Sequence, residues 1–186
     1  MVSISTLWLP ILLSGVLVFV MSSLIHMVLK YHNSDFAQLP NEGKILEAMR
    51  PFQIPAGEYH LPHCKDMKEM GTPEFKAKLD AGPVGFMTIM PNGPVSMGPS
   101  LALWFVYSLV IGVFAAYIAG RALGPGAAYL DVFRFAGTAA FLAYAVGGWQ
   151  NSIWYKRSWM TTAKNTFDGL IYALVTAGAF AWLWPS

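Results

Sequence analysis

Long apolar runs alternate with polar connections along this chain. Residues 7–29, 101–120, 129–148 and 166–184 form apolar runs nearly bare of charge. An α-helix rises 1.5 Å per residue, so about 20 such residues cross the roughly 30 Å hydrocarbon core of a bilayer. The pattern predicts an all-α membrane protein with four transmembrane helices. Trp8, Trp104, Trp149, Trp182 and Trp184 fall near the ends of the runs, where an interfacial aromatic belt belongs. Pro10 lies in the first turn of the first helix, where its missing N–H does no harm.

Between the first two runs, residues 30–99 are polar and carry turn and cap signals. A short amphipathic helix is expected over 40–50, with Asn41 as its cap and Pro51 and Pro55 beyond its end. Residues 57–61 and 84–90 read as strands, and 65–70 as a helical turn. Thr72-Pro73-Glu74 opens a helix: a capping hydroxyl, then Pro at the first helical position, then an acid in the first turn. That helix should reach about Asp80 and stop at Gly82-Pro83. The chain thus divides into a first helix (1–29), a small mixed α/β membrane-face insertion (30–99), and helices 2–4 (100–186). With four crossings, Lys30, Lys156, Arg157 and Lys164 flank the spans on the side of the insertion. The positive-inside rule then puts the insertion in the cytoplasm and both termini outside.

Composition sharpens this picture. Of 186 residues, 55% are hydrophobic and only 12% charged, and most of the charge lies between Lys30 and Asp80. That partition marks spanning segments plus one wet segment. The net charge of +2 is too small and scattered for a nucleic-acid footprint, so no nucleic-acid partner is expected. The expected partners are the bilayer itself and a protein contact, either another subunit or a second copy of the chain. One cysteine makes no internal disulfide. No Lys or Arg precedes Lys30 and no A-x-A-like site follows the first run, so it reads as a retained helix rather than a signal peptide. Gly-rich phosphate loop, nucleophile elbow and HExxH motif are all absent.

The candidate chemistry clusters at and after the exit of the first helix. His26 and His32 lie at the exit, and His60-Leu61-Pro62-His63-Cys64 holds the other two histidines and the only cysteine. Pro62 disfavours helix at Leu61, so that run should be extended. In a polyproline-like extension three residues make a turn, and His60 and His63 would point the same way. Imidazole and thiolate suit Zn or Cu better than Mg or Ca. His26, His32, His60, His63 and Cys64 are therefore the candidate metal ligands. Spacing weighs against the first pair. Six residues on one continuous helix turn two side chains about 120° apart. His26 and His32 reach one metal only if the helix breaks near Lys30 and Tyr31, and no standard zinc spacing is present. The competing reading is a set of interfacial histidines bonded to backbone, with a buried thiol.

Other features read as structural. Asp131 and Arg134 are three apart and pair on one helix face. Asp168 falls in the first turn of the expected fourth helix, where the helix dipole favours an acid. Neither supports an ion pathway, so a transporter is poorly supported. Gly112, Ala116, Gly120, Gly137 and Gly169 are small, and small residues let membrane helices approach closely.

The segments Leu103-Trp104-Phe105-Val106-Tyr107, Ala136-Gly137-Thr138-Ala139-Ala140-Phe141 and Asp168-Gly169-Leu170-Ile171-Tyr172, with Trp182-Leu183-Trp184-Pro185, resemble a group of bacterial inner-membrane proteins of unassigned function. The resemblance implies a bacterial inner-membrane location and four helices, and carries over no activity. The leading function class is a structural or accessory membrane subunit; the alternative is a transition-metal-binding membrane protein for metal handling or redox chemistry, and a transporter comes third.

Overall fold

In the helical part of the molecule many small residues turn inward and many large apolar ones turn outward. The computed structural model describes residues 1–186. In chain order the helices are α1 (Trp8–Leu24), α2 (Glu42–Met49), α3 (Met67–Met70), α4 (Pro73–Ala81), α5 (Met97–Ala122), α6 (Tyr129–Tyr144), α7 (Gln150–Trp154) and α8 (Trp159–Trp182). The strands are β1 (Gly57–Leu61) and β2 (Gly85–Ile89). The chain forms two units: Met1–Phe36 with Ser96–Ser186, and Ala37–Val95.

In the first unit α1 packs on α5 and α8, and α6 packs on α5 and α8. Ala115, Ala116, Ala119, Ala136, Ala140 and Ala177 are fully buried along these contacts. Leu103, Phe114 and Trp182 stand outward, each more than half exposed. A soluble bundle hides its large apolar side chains; a bundle in lipid packs on small residues and shows the large ones. Gly169 is a point of close approach. A Cβ there would lie 2.8 Å from the Ala145 Cβ, so α8 meets the end of α6 only because Gly169 has no side chain. Val18, Ile25 and Tyr172 form a buried cluster, with Trp104, Tyr144 and Tyr31 packed against it.

Three helical stretches are long and apolar enough to cross a membrane: Trp8–Leu29, Met97–Ala122 and Tyr129–Trp154. The third is not one smooth helix. α6 ends at Tyr144, and a 3-10 segment, Val146–Trp149, leads into α7. α8 begins at Trp159, about two turns before the expected start at Thr166. Its first half is polar, with Thr161, Thr162, Lys164, Asn165 and Asp168, which is why hydropathy alone misplaces the start. Thr161, Thr162 and Asp168 are buried in the bundle. Asp168 is therefore an interior helical residue, not a first-turn acid.

The second unit is built on an antiparallel pair, β1 with β2, in the register Tyr59 opposite Met87 and His60 opposite Phe86. Both strands fall within a residue of where alternation and turn residues put them. Thr72 caps α4 as its sequence predicts, its Oγ1 accepting from the Phe75 N–H at 3.2 Å. Asp66 caps α3, accepting from the N–H groups of Lys68 and Glu69 at 2.9 Å. Asn41 precedes α2, but its side chain makes no capping bond and its φ is +54°. Phe75 of α4 is buried within this unit.

Candidate metal centre at the exit of the first helix

The end of α1 does not continue as a regular helix. Ile25–Leu29 form a π-helical turn, a widened turn of the kind that recurs at functional sites. Lys30 then takes a left-handed conformation, φ +55°, and Tyr31–Ser34 form a 3-10 turn. This is the break that the spacing of His26 and His32 requires. The chain folds back, and the two imidazole rings stack with centroids 4.6 Å apart and planes 5° from parallel.

Each ring is oriented by a bond on Nδ1. His26 Nδ1 lies 3.0 Å from the Ser22 carbonyl oxygen, one turn back. His32 Nδ1 lies 2.6 Å from Asp35 Oδ2. On His26 the donating Nδ1–H leaves Nε2 as the nitrogen with a free lone pair, the arrangement that orients histidines at metal sites, whereas both nitrogens of His32 face carboxylate oxygens. His32 Nε2 points at Asp168 Oδ2, 2.7 Å away. Asp168 reaches this point from the middle of α8 and is itself oriented, because the Tyr31 hydroxyl donates to its other oxygen.

Lys164 closes the cluster one turn before Asp168. Its ammonium donates to Asp35 Oδ1 at 2.9 Å, to the Tyr31 carbonyl at 2.8 Å and to Ser34 Oγ at 2.8 Å. The carboxylates are well shielded, with the Asp35 and Asp168 side chains 5% and 4% exposed. Burial opposes ionisation of Asp35, but hydrogen bonds and charge from His32 and Lys164 outweigh it and hold the carboxyl below its usual range. Tyr31 goes the other way. Burial, its bond to Asp168 and the neighbouring carboxylates push its phenol well up, so it stays a donor.

His26, His32 and Asp168 each offer one ligand atom, and the three atoms lie within 4.8 Å of one another. Two imidazoles and one carboxylate form a ligand set that leaves coordination positions open for another molecule. A cavity of about 250 Å³ lies beside the cluster, with His26 and Asp168 in its wall together with Trp104, Tyr144, Tyr172 and Arg157. Trp104 is fixed there by its indole N–H, which donates to Ser22 Oγ at 2.9 Å on the turn that also anchors His26.

Of the five ligands named from sequence, His26 and His32 are brought together, and Asp168 joins them. His60, His63 and Cys64 belong to the second unit. The His60 ring stacks on Phe86 across the strand pair at 4.7 Å, and the Cys64 thiol donates to the Asp66 carbonyl at 2.9 Å. Sequence reasoning missed Tyr31, Asp35 and Lys164, and gave Asp168 a helix-end role. The available signals were an acid three residues after His32 and a Lys–Asp pair four apart that straddles the expected start of the fourth helix. The Asp131–Arg134 pair does form, at 3.6 Å, but with both side chains exposed. Comparison with protein-family models gives no match, and comparisons with curated proteins and with solved structures give none either, so function has to be argued from the site alone.

Proposed function

We propose that this chain is a multi-pass membrane protein that binds a divalent transition metal through His26, His32 and Asp168, for metal handling or redox chemistry at the membrane boundary. One observation carries the reading: two imidazoles, each with Nδ1 already engaged, converge with a buried carboxylate to within 4.8 Å. Imidazole and thiolate in the sequence suit Zn or Cu. A carboxylate oxygen in place of the thiolate shifts the preference toward Zn(II) or Fe(II) and away from Cu(I). Asp35 and Tyr31 fit the same reading, since they orient His32 and Asp168 in the way metal ligands are usually supported.

The direct 2.7 Å contact between His32 and Asp168 supports a second reading, an accessory subunit in which the cluster clamps the α1 exit to α8. His26 separates the two. It takes no part in the hydrogen bonds linking His32, Asp35, Lys164 and Asp168. A zinc titration of detergent-purified wild type and His26→Ala therefore decides. Metal binding predicts saturable uptake that is lost in His26→Ala while thermal stability holds. Absence of uptake in both leaves the clamp.

For the membrane arrangement we propose four crossings in a bacterial inner membrane, with α8 as the fourth, both termini outside and the 30–99 insertion in the cytoplasm. The apolar second half of α8, which ends at Trp182 with Trp184 just beyond, supports this. In a Cys64→Ser background, cysteines placed at Gly71 and Ser186 should label from opposite sides. Labelling from the same side removes a crossing.

A further inference from the structure

We infer that the cavity beside the cluster is a binding chamber for a small aromatic carboxylate. The inference goes beyond the metal reading, because the groups that select the ligand are not the proposed metal ligands. At about 250 Å³ the chamber falls below the size of pockets for drug-sized molecules and suits a single ring.

Three side chains supply an aromatic wall. Trp104, Tyr144 and Tyr172 sit with ring centroids 5.5 to 6.2 Å apart in tilted and edge-on pairs. Such rings offer edges and faces to a further planar ring at the favoured distances. The Tyr172 hydroxyl is buried and has no hydrogen-bond partner. An unmatched buried hydroxyl is uncommon, and this one lies behind the ring that lines the wall.

The anionic end is selected by Arg157. This side chain forms none of the molecule's ion pairs, and the one acid on the wall, Asp168, is already engaged by His32 and Tyr31. The main chain at Arg157 is fixed. Lys156 before it is left-handed, φ +56°, and the Arg157 N–H donates to the Asn151 carbonyl at 3.2 Å. A planar guanidinium presents paired N–H donors that match a carboxylate, and the amides of Asn151 and Asn165 share the wall. Gly148 leaves the room: a Cβ added there meets no atom within 4 Å.

Benzoate is the probe, titrated by calorimetry into the full-length chain in detergent after chelator treatment, so that the result does not depend on metal. Saturable binding is expected, at least tenfold weaker for neutral benzamide and for acetate, which lacks the ring. Arg157→Gln, at an exposed position, should weaken benzoate at least tenfold and leave benzamide unchanged. Gly148→Leu should exclude both. Lack of saturable benzoate binding, equal affinity for benzamide, or undiminished binding to Arg157→Gln would each overturn the proposal. A failed zinc titration leaves this test standing, and a failed benzoate titration leaves the metal site standing.

Discussion

The chain holds two histidine pairs, and they make an instructive contrast. His60 and His63 are three apart, next to a cysteine, in a segment that proline should extend. His26 and His32 are six apart at a helix end, a spacing that on a regular helix keeps them apart. By spacing and ligand type the first of these is the better metal motif. In the structure the second pair is the one joined to a carboxylate, while His60 stacks on Phe86 and Cys64 bonds backbone. What assembles the site is a chain reversal, made by a π turn and a left-handed Lys30, and an acid 136 residues away. Local motif quality says less than the presence of a device that folds the chain back onto a buried charge.

The contrast breaks most sharply at Asp168. Asp168→Asn removes the carboxylate that faces His32 and Tyr31 in a shielded place. Loss of one partner from a buried pair costs about 3 kcal/mol or more, so thermal stability in detergent should fall clearly, and zinc uptake with it. If Asp168→Asn melts like wild type, the cluster does not hold the α1 exit.

The reversal itself is tested at Lys30. Glycine adopts positive φ freely, whereas a left-handed L-residue costs roughly 1–2 kcal/mol. Lys30→Gly should keep or raise stability and keep zinc binding; Lys30→Val should lower both. Equal behaviour of the two variants would mean that the turn is not what brings His32 back.

On the other side of the comparison, His60→Ala, His63→Ala and Cys64→Ser combined should leave zinc stoichiometry at wild-type level. A drop in uptake would return the second pair to the ligand set. The smallest effect belongs to Asp131→Asn. Its partner Arg134 is exposed, as it is, so the change should stay below about 1 kcal/mol in a chemical or thermal melt.

Much of the fold is legible in the sequence because it is written in periods and caps. The first three apolar runs, both strands and the Thr72-Pro73-Glu74 helix start are local signals, and each appears where it is read. The start of α8 is not, because Thr161, Thr162 and Lys164 look like a wet connection until the bundle that buries or engages them is known. The site is half legible. His26 and His32 stand out as residue types, and the need for a break between them follows from helix geometry. That the break does occur, and that Asp168 is the third member, depends on tertiary packing, which buries Asp168 against Tyr31 and His32.

The most direct test of the central claim is the metal content of the purified chain after zinc loading and desalting, measured by mass spectrometry for wild type and His26→Ala side by side. One zinc per wild-type chain and none in His26→Ala is the predicted result. No zinc in the wild type, or the same amount in both, would contradict a metal centre at the exit of the first helix.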